Sequence, residues 1–166
     1  MGTSPYDRMN ESPLHTVATQ LPNGALPLPD VATAGQLQAA HVAQLASAGV
    51  RMILDLRPAS EPHGFDETAS VTDAGMRYEN VAVTQQTLVR DDFARVRSLL
   101  ADPANRPAVV HCASANRVGA LLLPHLVLDE GRTEADAIAT ARAIGLRSQE
   151  LLEAALTYLH DEQEKP

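Results

Sequence analysis

The stretch from Ala108 to Leu123, AVVHCASANRVGALLL, constrains the fold more than any other part of this sequence. It opens on a short apolar run, turns through a stretch of small and polar residues that holds the chain's only cysteine, and continues as a helix apolar on nearly all sides. A helix without a polar face must be enclosed, and a strand that does not alternate must be covered on both of its faces. A buried strand running directly into a buried helix meets both demands in a layered α/β domain.

The rest of the chain repeats this alternation. Leu37, Ala40, Val42, Leu45 and Ala48 recur at helical spacing and stop at Gly49, which suits a left-handed cap. Val50 to Leu56 reads as a buried strand closed off by Pro58, and residues 58–75 read as a long polar connection. A second strand is expected over Met76–Val83, then a helix capped by Asp91 or Asp92 with Phe93, Val96, Leu99 and Leu100 on its buried side. Two further helices follow the apolar one, the first starting at Thr133 and stopping at Gly145, the second carrying Leu151, Leu152, Ala155, Leu156 and Leu159 on one face. Near the start, Leu14–Thr19 reads as a short edge strand, and Asn23-Gly24 as a turn before the proline-rich Leu26–Asp30. The expected architecture is a single α/β domain over residues 14–163, a central, mostly parallel sheet flanked by helices, preceded by a flexible tail at 1–13.

Aromatic residues make up 3% of the 166-residue chain, so aliphatic side chains must fill the core and few rings remain for stacking on bases. The formal net charge of −8 argues against binding nucleic acid or an anionic membrane, both of which require a positive field. The first residues lack the apolar run of a secretory signal, which makes a cytoplasmic protein the expectation. One cysteine forms no internal disulfide, so Cys112 is either a small buried side chain or a reactive thiol.

The surroundings of Cys112 favour the second. It stands at the end of a strand, followed by Ala113, Ser114, Ala115 and Asn116, with Arg117 at the opening of the helix. Successive N–H groups in a tight loop, joined to the free N–H groups of a helix start, form a concave site for a tetrahedral anion such as phosphate, sulfate or vanadate. An arginine adds two parallel hydrogen bonds to such an anion. The same field favours the thiolate, the nucleophilic form of cysteine.

His111-Cys112-x4-Arg117 resembles the signature loop of the protein tyrosine and dual-specificity phosphatases. Ala34-Gly35-Gln36, the helix ending at Gly49, Leu54-Asp55-Leu56-Arg57 with Glu61, Met76-Arg77-Tyr78 and Gly145-Leu146 extend the likeness to a bacterial branch of these proteins over about residues 30–160. The resemblance implies a dual-specificity phosphatase-like fold. It also implies hydrolysis of phosphomonoesters, on a phosphorylated protein or small molecule, through a phosphocysteine at Cys112. Arg117 and the loop 113–116 would bind the phosphate, and no metal or cofactor would be needed.

The loop and its arginine depart from the family pattern in three ways. Its loop is one residue shorter than usual. Ala115 stands where related loops prefer glycine, which moves the expected positive φ to Asn116. Val118 replaces the usual hydroxyl residue after the arginine, leaving Ser114 as a substitute. The segment where relatives keep a general acid reads Thr84-Gln85-Gln86. Asp55, at the carboxyl end of its strand, is therefore the candidate catalytic carboxyl, weighed against a structural partnership with Arg57; Asp91 and Asp92 are weighed as acids against helix caps. His111 is expected to pack beside the loop and bond its backbone, and the other histidines show no metal-ligand spacing. Two alternatives stay open: sulfur transfer of the rhodanese kind, through a persulfide on the same cysteine, and a catalytically silent anion-binding domain.

Overall fold

The computed structural model describes residues 12–166. The expected tail therefore lies, apart from its last two residues, outside the described residues. The described elements are α1 (Pro13–Ala18), β1 (Ala25–Leu28), β2 (Val31–Ala34), α2 (Ala39–Ser47), β3 (Met52–Asp55), α3 (Glu67–Asp73), β4 (Arg77–Asn80), α4 (Arg90–Ala101), a 3-10 turn (Pro103–Asn105), β5 (Ala108–His111), α5 (Asn116–Leu128), α6 (Glu134–Ile144) and α7 (Gln149–Glu164).

The five strands lie in the order β1-β2-β5-β3-β4, parallel except where β1 turns back along β2. β5 is the central strand, pairing Ala108–His111 with Val31–Ala34 on one side and Met52–Asp55 on the other. Because side chains alternate across a sheet, Val109 and Ile53 point to one layer while Val110 and Leu54 point to the other. The first layer is α1, α2 and α3, with Leu37, Leu45 and Val71 in its core. The second is α4 to α7 around α5, whose residues Val118–Leu126 are all buried. The α/β expectation holds, for the reason given: strands buried on both faces need helices on both faces.

Three local readings are corrected. Leu14–Thr19 lies in a helix, α1, because Ser12 caps it by accepting the His15 N–H at 3.0 Å and Pro13 stands at a position that needs no N–H. The connection over 58–75 contains α3, started by Asp66, whose carboxylate accepts the Ala69 N–H at 3.1 Å. The proline-rich stretch near Leu26 forms the hairpin β1–β2, which the local pattern does not show because β2 is specified by pairing with β5 and β1 by pairing with β2.

Candidate active site

The parallel strands β2, β3 and β5 end together, and Asp55 and His111 are register partners at that edge. Cys112 follows His111 directly, 1% exposed, with its N–H donating to the Ala34 carbonyl at 3.3 Å. Ala113 carries the chain out to solvent, and its carbonyl accepts the Gln36 N–H at 3.0 Å. Gly35 is required here: a Cβ on it would stand 2.8 Å from that carbonyl oxygen and 2.7 Å from Asn23 Oδ1. Ala115 takes the left-handed conformation, φ 65°, that the sequence reading moved to Asn116. The reason is that Asn116 is already the first residue of α5, in helical backbone, so the reversal falls one residue earlier. The left-handed Ala115 brings the loop round onto the N-terminus of α5, which supplies the open N–H groups expected for an anion.

Arg117 is fixed from its outer side. Nη1 donates to Glu61 Oε2 at 2.8 Å and to the Val83 carbonyl at 2.9 Å, and Nη2 donates to Glu61 Oε1 at 3.0 Å. A guanidinium has five N–H groups, so Nε–H and the second Nη2–H remain, both on the same edge of the plane. Glu61 in turn accepts from Arg57 Nε at 3.1 Å, and Arg57 Nη1 donates to Gln36 Oε1. The hydrogen bond from Arg117, with help from Arg57 and against a partial burial, holds the Glu61 carboxyl down to about 2. The hydrogen bonds to Glu61, with the Cys112 sulfur close by and against a partial burial, raise Arg117 above its ordinary range. In the sequence Glu61 stands only within the family resemblance and carries no signal of its own; its role comes from meeting Arg57 and Arg117 in space.

Behind the loop sits a buried polar cluster. Asp55 is 0% exposed; its Oδ1 accepts the Arg57 N–H at 2.9 Å, its Oδ2 accepts Tyr78 Oη–H at 2.7 Å, and the same oxygen lies 2.7 Å from His63 Nε2. His63 Nδ1 lies 2.7 Å from the Glu61 carbonyl oxygen. Burial pushes the Asp55 carboxyl up, but the His111 charge and these hydrogen bonds outweigh it, leaving it below its ordinary value. The structural partnership weighed for Asp55 is thus with the Arg57 backbone, not its guanidinium. His111 bonds Glu67 Oε2 through Nε2 at 2.8 Å, with Nδ1 3.4 Å from the Cys112 carbonyl, so its strong partner is a carboxylate from α3 that the sequence did not suggest. Among the described residues, Asp55, His63 and Glu67 are the group whose ligand atoms, within 4.8 Å of one another, have the chemistry to hold a cation, though each is already engaged by protein partners.

The other candidates lie apart from this cluster. Asp91 and Asp92 are in the first turn of α4, where Asp92 Oδ2 accepts the Val89 N–H at 2.9 Å as a cap. In the segment that lacks the acid, Gln85 joins α7: Oε1 accepts from Ser148 Oγ at 3.0 Å, and Nε2 donates to Glu150. No described helix is long and apolar enough to cross a membrane.

No protein-family model matches the chain, and no curated protein matches it. Solved structures do match. A DUF442 protein of Shewanella putrefaciens CN-32, designated a candidate phosphatase, superposes with a TM-score of 0.75 at 21% identity, over 89% of this chain and 97% of its own. The core catalytic domain of the PP-IP phosphatase SIW14 from S. cerevisiae, in complex with citrate, gives 0.72 at 16% identity over 87% and 90%. TpbA of P. aeruginosa, in complex with pTyr, gives 0.64 at 17% identity over 82% of each chain. The fold is thus the one shared by these tyrosine and dual-specificity phosphatase-like structures.

Proposed function

We propose that this chain is a cysteine-dependent phosphatase that hydrolyses phosphomonoesters, aryl phosphates and phosphotyrosine-like groups among them, through a phosphocysteine at Cys112. One observation carries the reading. The thiol at the end of the central strand shares a tight loop with an arginine whose outer N–H groups are all held by Glu61 and Val83, leaving a two-donor edge that no oxygen of the described residues takes, with the Cys112 sulfur as its neighbour. Such an edge matches two oxygens of a phosphoryl group.

In the first step the Cys112 thiolate attacks phosphorus, an S–P bond forms, and the ester P–O bond breaks. Charge on the equatorial oxygens is met by the N–H groups of Ala113–Asn116, the start of α5 and Arg117. The leaving oxygen takes its proton from solvent, since Thr84, Gln85 and Gln86 carry no acid. Water then attacks phosphorus, the S–P bond breaks, and phosphate leaves with the thiolate restored. Asp55 serves this reading as a positioning residue: ionised and enclosed, it orients His63, Tyr78 and the Arg57 backbone. TpbA bound to pTyr and SIW14 bound to citrate make phosphorylated or other anionic ligands the natural trial set.

The missing acid specifically favours a second reading, sulfur transfer, because moving a sulfane sulfur onto Cys112 protonates no ester oxygen. Side-by-side assays with para-nitrophenyl phosphate and with thiosulfate plus cyanide separate the two. Cys112→Ser should abolish whichever activity is found while leaving the circular dichroism spectrum unchanged. Retention of more than a few per cent of turnover would overturn covalent catalysis, and an inactive wild type that still binds phosphate would identify a silent anion-binding domain.

A further inference from the structure

The loop that holds Cys112 touches a second arginine. Arg147, between α6 and α7, donates from Nη2 to Ser114 Oγ at 2.7 Å and from Nη1 to the Gly145 carbonyl at 3.3 Å. Its own backbone N–H is fixed by Asn116 Oδ1 at 2.9 Å, and the same oxygen accepts the Ser148 N–H at 3.3 Å. Ser114 lies in the loop and Asn116 at the start of α5, so the arginine is registered against the cradle at backbone and side chain alike. Gly145 allows this approach: a Cβ there would meet the Ser114 carbonyl oxygen at 3.1 Å and the Ala115 Cβ at 3.0 Å.

The electrostatic situation of Arg147 differs from that of the other arginines at this edge. Arg57 and Arg117 share the carboxylate of Glu61. Arg147 is exposed and has, among the described residues, only neutral oxygens as partners. Two of its five side-chain N–H groups are engaged by them, and the other three have no hydrogen-bond acceptor among the described residues. In a chain of formal charge −8, a cation without a carboxylate, held against an anion cradle, marks the place where a second negative group is wanted.

We propose that Arg147, with the Ser114 hydroxyl, forms a second anion subsite beside the cradle, and that the substrate carries two phosphoryl groups in close succession, as in a diphosphate. This deepens the phosphatase reading and rests on it. The reacting phosphoryl sits in the loop under the two-donor edge of Arg117, and the neighbouring one takes a charge-assisted pair of hydrogen bonds from Arg147.

The test is direct binding by calorimetry, with inorganic phosphate and inorganic pyrophosphate as probes, on the wild type, Arg147→Gln and Arg147→Lys. In the wild type, pyrophosphate should bind about tenfold more tightly than phosphate, the gain expected of one charge-assisted pair at a partly exposed site. That ratio should fall to about twofold in Arg147→Gln and lie between the two in Arg147→Lys, which keeps the charge but loses the planar fork. A wild-type ratio near one, or a high ratio that Arg147→Gln leaves intact, overturns the second subsite while phosphate binding leaves the cradle standing. Failure of the wild type to bind either probe overturns the subsite and the anion cradle together.

Discussion

Replacing Glu61 by glutamine keeps the shape of the side chain and removes the charge that Arg57 and Arg117 share. At neutral pH the variant loses charge assistance in three hydrogen bonds, at 2.8, 3.0 and 3.1 Å. A carboxyl brought from its ordinary 4.5 to about 2 represents about 3 kcal/mol of stabilisation at full effect. The side chain is 29% exposed, so screening by solvent reduces the figure to about 1.5 kcal/mol. The sign follows from linkage: with the folded-state value depressed, the stabilisation is complete above about pH 5 and is lost as pH falls toward 2. Urea denaturation of wild type and Glu61→Gln at pH 7 and pH 3 provides the measurement. The difference between the two proteins should be about 1.5 kcal/mol at pH 7 and less than half of that at pH 3. A difference that is absent at pH 7, or equally large at pH 3, would refute the claim that an ionised Glu61 holds the two arginines. Vanadate inhibition at pH 7 should weaken in the variant, because Arg117 is then free to swing from its pose.

Gly119→Ala should destabilise the fold by about 1–3 kcal/mol through overpacking, since its Cβ would stand 2.6 Å from the Ala141 carbonyl oxygen and 2.8 Å from Leu146 Cβ. Thermal melting checks this, with a fall of about 2 to 4 °C for each kcal/mol. Para-substituted phenyl phosphates should show a rate that depends steeply on leaving-group pKa, because no acid stands at Thr84–Gln86, and the slope should be the same in Asp91→Asn and Asp92→Asn. A shallow wild-type slope that steepens in one of these variants identifies the acid instead.

The fold class and the centre of the site were readable from residues close together in the chain. An apolar strand, a cysteine, small residues, an arginine and an enclosed helix occupy one uninterrupted stretch, and local sterics and the burial of apolar faces dictate its form. The same locality explains the helix ends at Gly49 and Gly145, both with positive φ. The hairpin β1–β2 escaped because β2 acquires its identity by lying against β5, a contact between distant segments, and β1 by lying against β2. So did the electrostatics of the site. Glu61 meets Arg117 across 56 residues, Glu67 meets His111 across 44 and Arg147 meets Ser114 across 33. Sequence spacing carries no signal for such pairs, because it is the strand order β1-β2-β5-β3-β4 that brings the β3–α3 connection to one side of the cysteine loop and the packing of α6 on α5 that brings the α6–α7 turn to another. The sequence by itself determined a layered α/β domain with a thiol and an arginine on one loop. Tertiary structure alone decided which carboxylate holds Arg117 and which second cation faces the loop, since hydrogen bonds of 2.7 to 3.0 Å depend on how whole elements pack.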